Sequence, residues 1–291
     1  MRYKEPESFR AALEARIRQG AEGQQDLARQ RRTVAFDRFL SRLAVTKHQA
    51  WVLKGGAALE FRMPQLARAT RDVDLSLASD MDPADVLVTD LDGDPFGDHF
   101  SFAVTRRREL SENAERGPIV RLSIDALIGV RVFEKFVVDI VRAADGSPSS
   151  EFVELGRVVS FADLPLVDLP VINLRTHWAE KLSAYLTRYE DRPNTRVKDL
   201  VDLVLLIEYG LLPEAELYAE VLATFKNRDQ QIPKGPLPSM ANEWAVPFAK
   251  MASELTLTTK DSVSAHAAVE TFWRRAVNNA VPPTGGDIST H

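Results

Sequence analysis

The 291-residue sequence contains no cysteine. Disulfide bonds and thiolate metal sites are therefore excluded, and this absence is typical of a protein of the reducing cytoplasm. No apolar run approaches the roughly 20 residues that a transmembrane helix needs. The first segment, MRYKEPESFR, is charged and lacks the apolar core of a signal peptide. We therefore expect a soluble, cytoplasmic protein without membrane contact.

Several common catalytic signatures are also missing. The sequence has neither a G-x-x-x-x-G-K-[ST] phosphate loop nor a G-x-G-x-x-G fingerprint, which argues against P-loop enzymes and Rossmann dehydrogenases. His177 and His266 have no partners at metal-ligand spacing, so we interpret both as structural. Ser76 and Ser123 lack a matching histidine–aspartate pair, which argues against a hydrolase triad.

The composition is that of a globular protein, with 45% apolar and 27% charged residues. A net charge of −5 argues mildly against a protein that coats nucleic acid. Basic residues nevertheless cluster within residues 29–42, 106–108 and 188–198. For each cluster the simpler interpretation is a solvated face, and the alternative is a local patch for a polyanion.

The hydrophobic pattern divides the sequence into a strand-rich part and a helix-rich part. Residues 7–44 have helical spacing, and Gly20 and Gly23 interrupt them, which predicts two helices. The strand-like segments are WVLK, DVDLSLA, HFSFAVTRRREL, PIVRLSIDALIGVRV and KFVVDIVRA. Helical patterns dominate after the segment DLPLVDLPVI. We therefore predict an α/β (α+β) fold, with a mixed-sheet domain over residues 1–165 and a helical domain over residues 166–291.

Two aspartates one residue apart are the strongest chemical signal. In DVDLSLA, Val73 and Leu75 alternate with Asp72 and Asp74, so a strand places both carboxylates on one face. Neighbouring carboxylates repel each other, and each raises the pKa of the other unless a cation lies between them. Mg²⁺ fits this need, since it binds one or two carboxylates together with substrate phosphates. The alternative is an ordinary charged strand.

Two further features support a metal–phosphate site. Gly55 and Gly56 precede the aspartates, and glycine lets backbone N–H groups approach a phosphate closely. Asp139 lies in the apolar segment KFVVDIV, where a carboxylate is costly without a metal or a hydrogen-bond partner. Taken singly, the glycines could form a turn and Asp139 could be salt-bridged.

These motifs carry a resemblance to a known family. LKGGAALEF followed by RATRDVDLSL resembles the first motif of the DNA polymerase β-like nucleotidyltransferases. It is most similar to the AbiEii/AbiGii-type toxins of bacterial toxin–antitoxin systems, which include the MenT group. FVVDIV resembles the later strand with the third acidic residue, and WAEKLSAYLTRYEDRPNTRVKDLVDLVLL resembles the A-E-K-L…K-D-x-x-D-L block. The resemblance covers about residues 45–210.

The resemblance implies a metal and nucleotide site in a nucleotidyltransferase sheet domain. It implies that Asp72 and Asp74 are catalytic metal ligands, that Asp139 is the third acidic ligand, and that Gly55 and Gly56 lie against the nucleotide phosphates. One position departs from the family pattern, because Ala57 replaces a serine or threonine found in many relatives. Thr70 is the alternative hydroxyl for nucleotide binding.

The resemblance also implies that the helical domain completes the active site. Lys181 would be catalytic by neutralising triphosphate charge, and Asp202, with Asp199, would support or position it. From the residues alone, Lys181 could instead be a surface lysine paired with Glu180 or Glu190. The two aspartates, which share a helix face, could serve solubility or pair with Arg196 and Lys198.

The implied activity is transfer of a nucleoside monophosphate from an NTP to an acceptor hydroxyl, with a two-ion Mg²⁺ site. The family suggests RNA as acceptor, foremost the 3′ end of tRNA, inhibition of translation and growth, and a cognate antitoxin as partner. Arg188 and Arg192 are the candidate RNA contacts, one turn apart if a helix continues through Glu190. The alternatives are the same chemistry on a protein or small molecule, and a non-catalytic relative.

Overall fold

A computed structural model describes residues 1–46, 51–110, 119–143, 149–188, 193–212, 214–233, 235–238 and 242–280. The helices of these ranges are α1 (Pro6–Gly20), α2 (Gln24–Ala44), α3 (Gly55–Arg62), α4 (Pro83–Asp90), α5 (Leu174–Leu186), α6 (Val197–Glu208), α7 (Leu217–Asn227), α8 (Ala245–Glu254) and α9 (Ser262–Ala280). The strands are β1 (Trp51–Lys54), β2 (Asp72–Leu77), β3 (Phe100–Leu110), β4 (Ile119–Ile128), β5 (Arg131–Arg142), β6 (Ser150–Leu155) and β7 (Val167–Ile172). In the described ranges, no helix is long and apolar enough to span a membrane.

The chain divides into two compact units. The sheet unit comprises Met1–Gln65 and Ala69–Ile172, and the helical unit comprises Leu66–Arg68 and the chain from Asn173 onwards. The division after Ile172 falls later than the one we expected after residue 165, because residues 167–172 form β7 and belong to the sheet.

The sheet unit contains one seven-stranded mixed sheet in the order β3-β4-β5-β2-β1-β7-β6. The pairs β2–β5 and β1–β7 are parallel, and the other neighbours are antiparallel. This sheet confirms the predicted mixed α/β class. Apolar residues alternate along β4, so only one face of that strand is buried.

The buried face of the sheet packs against the N-terminal helices. Phe36 and Phe39 of α2 lie against Phe136 of β5, with ring centroids 5.0 and 5.3 Å apart. Edge-on aromatic pairs of this kind contribute about 1 kcal/mol each beyond their buried area. The two predicted N-terminal helices are present and separate at Gly23, whose φ of +116° ends the helical path. The opposite face of the sheet is therefore left for polar side chains.

The helical unit differs from expectation at the end of α5. The proposed pairing of Arg188 and Arg192 required this helix to continue through Glu190, but α5 ends at Leu186 and Thr187 is extended. The side-chain amide of Asn194 donates to the carbonyl oxygens of Tyr185 and Thr187 at 3.0 and 2.9 Å. These bonds satisfy carbonyls at the end of the helix and stop it.

Candidate active site

Three carboxylates lie on one face of the sheet. Asp74 of β2 and Asp139 of β5 are direct partners in the parallel ladder. Asp72 is two residues before Asp74 and so points to the same side. We call this side of the sheet, with Asp72, Asp74 and Asp139, the carboxylate face. The alternation of DVDLSL predicted the first two positions on it, and the β2–β5 pairing adds the third.

Gly55 makes room for Asp74. Gly55 has φ +62°, and a Cβ atom there would lie 1.9 Å from Asp74 Oδ2. The cause is register, since Lys54 on β1 is the ladder partner of Asp74 and α3 begins at the next residue. In this structure, the space beside Gly55 is filled by a carboxylate. Gly56 is buried in the first turn of α3.

Asp72 is oriented by Thr70. The Thr70 hydroxyl donates to Asp72 Oδ1 at 2.9 Å, and the backbone N–H of Thr70 donates to Glu60 Oε2 at 3.1 Å. Glu60 is buried and also accepts from Arg29 Nε at 3.0 Å, while Arg32 donates to the Thr70 carbonyl at 3.1 Å. The segment before β2 is therefore held by α2 and α3, and Thr70 acts on Asp72 rather than standing free.

Asp139 is paired with an arginine that the sequence did not single out. Arg121 of β4 donates through Nε and Nη2 to the two Asp139 oxygens at 2.7 and 2.6 Å. This bidentate geometry is the strongest form of arginine–carboxylate pair. Arg121 is the ladder partner of Asp139 on the neighbouring antiparallel strand. Strand register is required to find it, and no sequence motif marks it.

The donor chemistry at Asp72 and Asp74 fits a hard cation. Among the described residues, no three His, Cys, Asp or Glu side chains are grouped closely enough to hold a metal ion by themselves. Both Asp139 oxygens pair with Arg121. Mg²⁺, however, binds through one or two carboxylates when substrate phosphates supply further oxygens. Asp72 and Asp74 meet that requirement.

A second charged cluster lies inside the helical unit. Lys181 Nζ on α5 donates to Asp202 Oδ2 at 2.6 Å and to Asp199 Oδ1 at 3.2 Å, both on α6. Arg68 donates to the two Asp202 oxygens at 3.1 and 3.0 Å. We call these four residues the lysine cluster. Asp202 is 0% exposed and Lys181 5%, so the alternative of a surface lysine is wrong.

Electrostatics keep the lysine cluster charged. Burial favours the neutral forms, but the facing charges outweigh it. Next to Lys181 and Arg68 the pKa of buried Asp202 is lowered to about 2. Beside Asp202 and Asp199 the pKa of Lys181 is raised above its ordinary value despite burial. Arg68 was not predicted, although it belongs to the motif RATRDVD, four residues before Asp72.

The proposed RNA contacts are only partly visible. Arg188 is exposed and follows the end of α5, so it is not on a helix as expected. Arg192 lies outside the described residues. Because Arg188 lies beyond the end of α5, helical spacing does not place it on a common helix face with Arg192.

Comparison with known proteins identifies a family for most of the chain. The family model described as "Nucleotidyl transferase AbiEii toxin, Type IV TA system" matches residues 38–275. No curated protein matches significantly. Among solved structures, the nucleotidyltransferase toxin MenT4 from Mycobacterium tuberculosis is similar at 21% identity and TM-score 0.43, over 92% of this chain and 96% of that one. The protein JHP933 from Helicobacter pylori is similar at 12% identity and TM-score 0.42, over 84% and 90%.

Proposed function

Because the chain belongs to the AbiEii family of nucleotidyltransferase toxins, we propose that it transfers a nucleoside monophosphate from an NTP to an RNA hydroxyl and releases pyrophosphate. The observation that carries the proposal is the carboxylate face, where Asp74 and Asp139 are ladder partners and Asp72 lies alongside. Membership of a toxin–antitoxin family makes an antitoxin its expected partner.

Asp72 and Asp74 would hold the metal. Mg²⁺ held there, as one or two ions, would lower the pKa of the attacking hydroxyl and neutralise phosphate charge. Thr70 holds Asp72 in one orientation through the 2.9 Å hydrogen bond to Oδ1. Arg121 balances the charge of Asp139, which allows a third carboxylate on the same face without strong repulsion.

Lys181 would neutralise the triphosphate. Its raised pKa keeps the ammonium charged at neutral pH, and Asp202 and Asp199 fix its position. Asp202 is a positioning residue in this proposal, since both of its oxygens accept from Lys181 or Arg68 and none of its surface is exposed. The backbone N–H groups of Gly55 and Gly56, at the start of α3, would approach the nucleotide phosphates, while Asp74 occupies the side of Gly55 where a Cβ would lie.

We take the 3′ end of tRNA as the acceptor in this proposal, and inhibition of translation in the bacterial cytoplasm as the biological outcome. The support is the family itself, whose members act as toxins. A 3′-terminal hydroxyl is a nucleophile of the kind that nucleotidyl transfer requires. A protein side chain or a small molecule could supply a hydroxyl as well, so the assay below reads all three.

The test is transfer of label from each of the four NTPs, with Mg²⁺ and total tRNA, by the wild type and two variants. Asp74→Asn removes a metal-ligand charge and should lower transfer by about 10³-fold, as expected for losing several kcal/mol of charge stabilisation. Asp168→Asn, an exposed aspartate on β7, is the matched control and should keep wild-type activity.

The outcomes separate the alternatives. Label in RNA that depends on Asp74 supports the proposal, whereas label in a protein band or a small molecule moves the acceptor elsewhere. Absence of transfer to any of them, together with no metal-dependent NTP binding by calorimetry, indicates a non-catalytic relative. An Asp74→Asn variant with near-wild-type transfer would show that the metal site is misplaced.

A further inference from the structure

A row of charged residues crosses the carboxylate face from its edge to its centre. Arg108 on β3 is the ladder partner of Arg121 on β4, Arg121 is the partner of Asp139 on β5, and Asp139 is the partner of Asp74 on β2. Ladder partners project to the same side of a sheet. The basic end of this row therefore lies on the same face as the carboxylates.

A second row runs parallel to the first. Arg106 is the ladder partner of Ser123, Ser123 of Val137, and Val137 of Asp72. Arg106 and Arg108 are two residues apart on β3, so both belong to the carboxylate face. Neighbouring strands are about 4.8 Å apart, so Arg108 starts about 10 Å from the strand of Asp139. The two arginines extend the face outward beyond Arg121.

The run Arg106–Arg107–Arg108 is divided by the pleat of the strand. Arg107, on the opposite side, donates to the Asp82 carboxylate at 2.9 and 2.7 Å and to Glu109 at 2.8 Å. Arg106 and Arg108 are exposed, and within the described ranges neither side chain makes a hydrogen bond or an ion pair. One arginine is thus used by the fold, and the two on the carboxylate face keep their charge available.

The geometry points to a polyanion path. We propose that Arg106 and Arg108, continuing into Arg121, hold the phosphate backbone of the acceptor RNA strand and lead its reactive end to Asp72 and Asp74. This rests on the proposed function and adds where the acceptor binds. Arginine contacts to phosphate supply affinity and register without reading sequence. An NTP is a poorer fit for the outer pair, because these side chains start two or more strands away from the aspartates.

The test compares three single variants and two double variants on the full chain. Arg106→Gln and Arg108→Gln, singly and together, remove charge from the path, and Arg107→Gln removes the same charge from the same strand on the other side. The readouts are tRNA binding as a function of salt, the KM for tRNA and the KM for NTP. The double variant Arg106→Lys/Arg108→Lys keeps both charges, so it shows whether an effect comes from lost charge or from a change in structure.

We expect the double variant Arg106→Gln/Arg108→Gln to raise the KM for tRNA by about tenfold and to leave the KM for NTP unchanged. The slope of log affinity against log salt should become shallower by about 1.4, that is, about 0.7 for each lost contact to a single strand. Arg107→Gln and the double lysine variant should keep the wild-type slope.

Three results would overturn the path. The first is an unchanged salt slope in the double glutamine variant while wild-type protein still labels RNA. That result would leave the proposed function intact. The second is a loss of NTP affinity, which would make the arginines part of a triphosphate site. The third is an equal fall in the salt slope for Arg107→Gln, which would make the effect one of general surface charge rather than of the carboxylate face. Wild-type protein that labels no RNA at all would instead contradict the proposed function.

Discussion

At the scale of single residues, the glycine pair shows how a site can depend on what a residue lacks. Gly55 has a left-handed φ of +62°, and its missing Cβ is the volume that Asp74 Oδ2 approaches. Any other residue at position 55 would be strained by the positive φ, and its Cβ would displace the Asp74 carboxylate. Conformation and chemistry therefore require glycine at the same position.

Gly55→Ala should strongly lower activity, with little more loss of stability than the same change at a control glycine. Displacing Asp74 by even about 1 Å should lower nucleotidyl transfer by about 100-fold. Gly93→Ala is the control, since Gly93 also has positive φ, at +85°, but a Cβ atom added there would have no other atom within 4 Å. Both variants should lose at least about 1 kcal/mol of unfolding free energy in a urea titration. Equal activity of the two variants would separate Gly55 from the site.

Residue patterns predicted the carboxylates better than their partners. The alternation in DVDLSL placed Asp72 and Asp74 together because side-chain direction along a strand is a local property. Arg121 beside Asp139, and Arg68 beside Asp202, were not predicted. Those contacts depend on which strands are neighbours and in which register, and on how residues 66–68 join a unit formed by later residues. Neither property is local in the sequence.

At the scale of elements, the packing of α5 against α6 positions the lysine cluster. Lys181 is on one helix and both aspartates are on the other, so this packing fixes their distance. Asn194 binds carbonyls at the end of α5, and its Oδ1 accepts from the Arg196 N–H at 2.8 Å as α6 begins. The indole of Trp244 donates to the Asn194 carbonyl at 2.9 Å. A single side chain thus links the end of α5 to the start of α6.

Asn194→Ala should weaken both stability and nucleotide use. Losing the four hydrogen bonds of this side-chain amide should cost about 2 kcal/mol of unfolding free energy in the helical unit. Because the two helices then shift, the KM for NTP should rise more than kcat falls. Asn227→Ala, at the exposed end of α7, is the control for removing an asparagine from the same unit. A variant that melts lower but keeps its KM would make Asn194 purely structural.

The sequence predicted the long elements and the short strands β1 and β2, but it missed β7 and α4. α1, α2, β3, β4, β5 and α6 have enough residues for their periodicity to be visible. β7 is six residues long and contains Pro170, and we interpreted its segment as a domain boundary. α4 was missed because its eight residues are mostly apolar, although Asp82 and Pro83 form a recognisable helix start, with Asp82 accepting from Ala84 N–H and Asp85 N–H.

At the scale of the whole molecule, the distribution of charge matters more than the net value. The basic cluster in residues 29–42 could be a surface patch on sequence grounds, but Arg38 and Arg42 are 0% and 1% exposed. Arg38 Nε and Arg42 Nη2 each donate to the Asp98 carboxylate at 2.7 Å. Breaking such a buried pair from one side costs about 3–5 kcal/mol. These arginines hold the sheet unit together and are not available to a polyanion.

Asp37 is a member of this buried network whose ionised form is disfavoured by burial. Its Oδ2 accepts from the Gly156 N–H at 2.7 Å and its Oδ1 from Arg38 at 3.3 Å. Burial nevertheless raises the pKa of Asp37 from 3.8 to about 6, with the Asp98 charge adding to the effect and Arg38 opposing it. The folded state therefore binds a proton more tightly than the unfolded state. The ionised carboxylate opposes folding above about pH 6.

The sheet unit should consequently become more stable as pH falls from about 6 to about 4. A pKa raised by about two units corresponds to about 3 kcal/mol of unfolding free energy, lost again as pH rises through the folded pKa. Asp37→Asn cannot titrate, so its urea-unfolding free energy should lack this component, and the difference from wild type should change with pH in that window. Asp168→Asn, on the surface, should follow the wild-type curve. Parallel curves for wild type and Asp37→Asn would mean that Asp37 stays ionised in the fold and that Arg38, rather than burial, controls its charge.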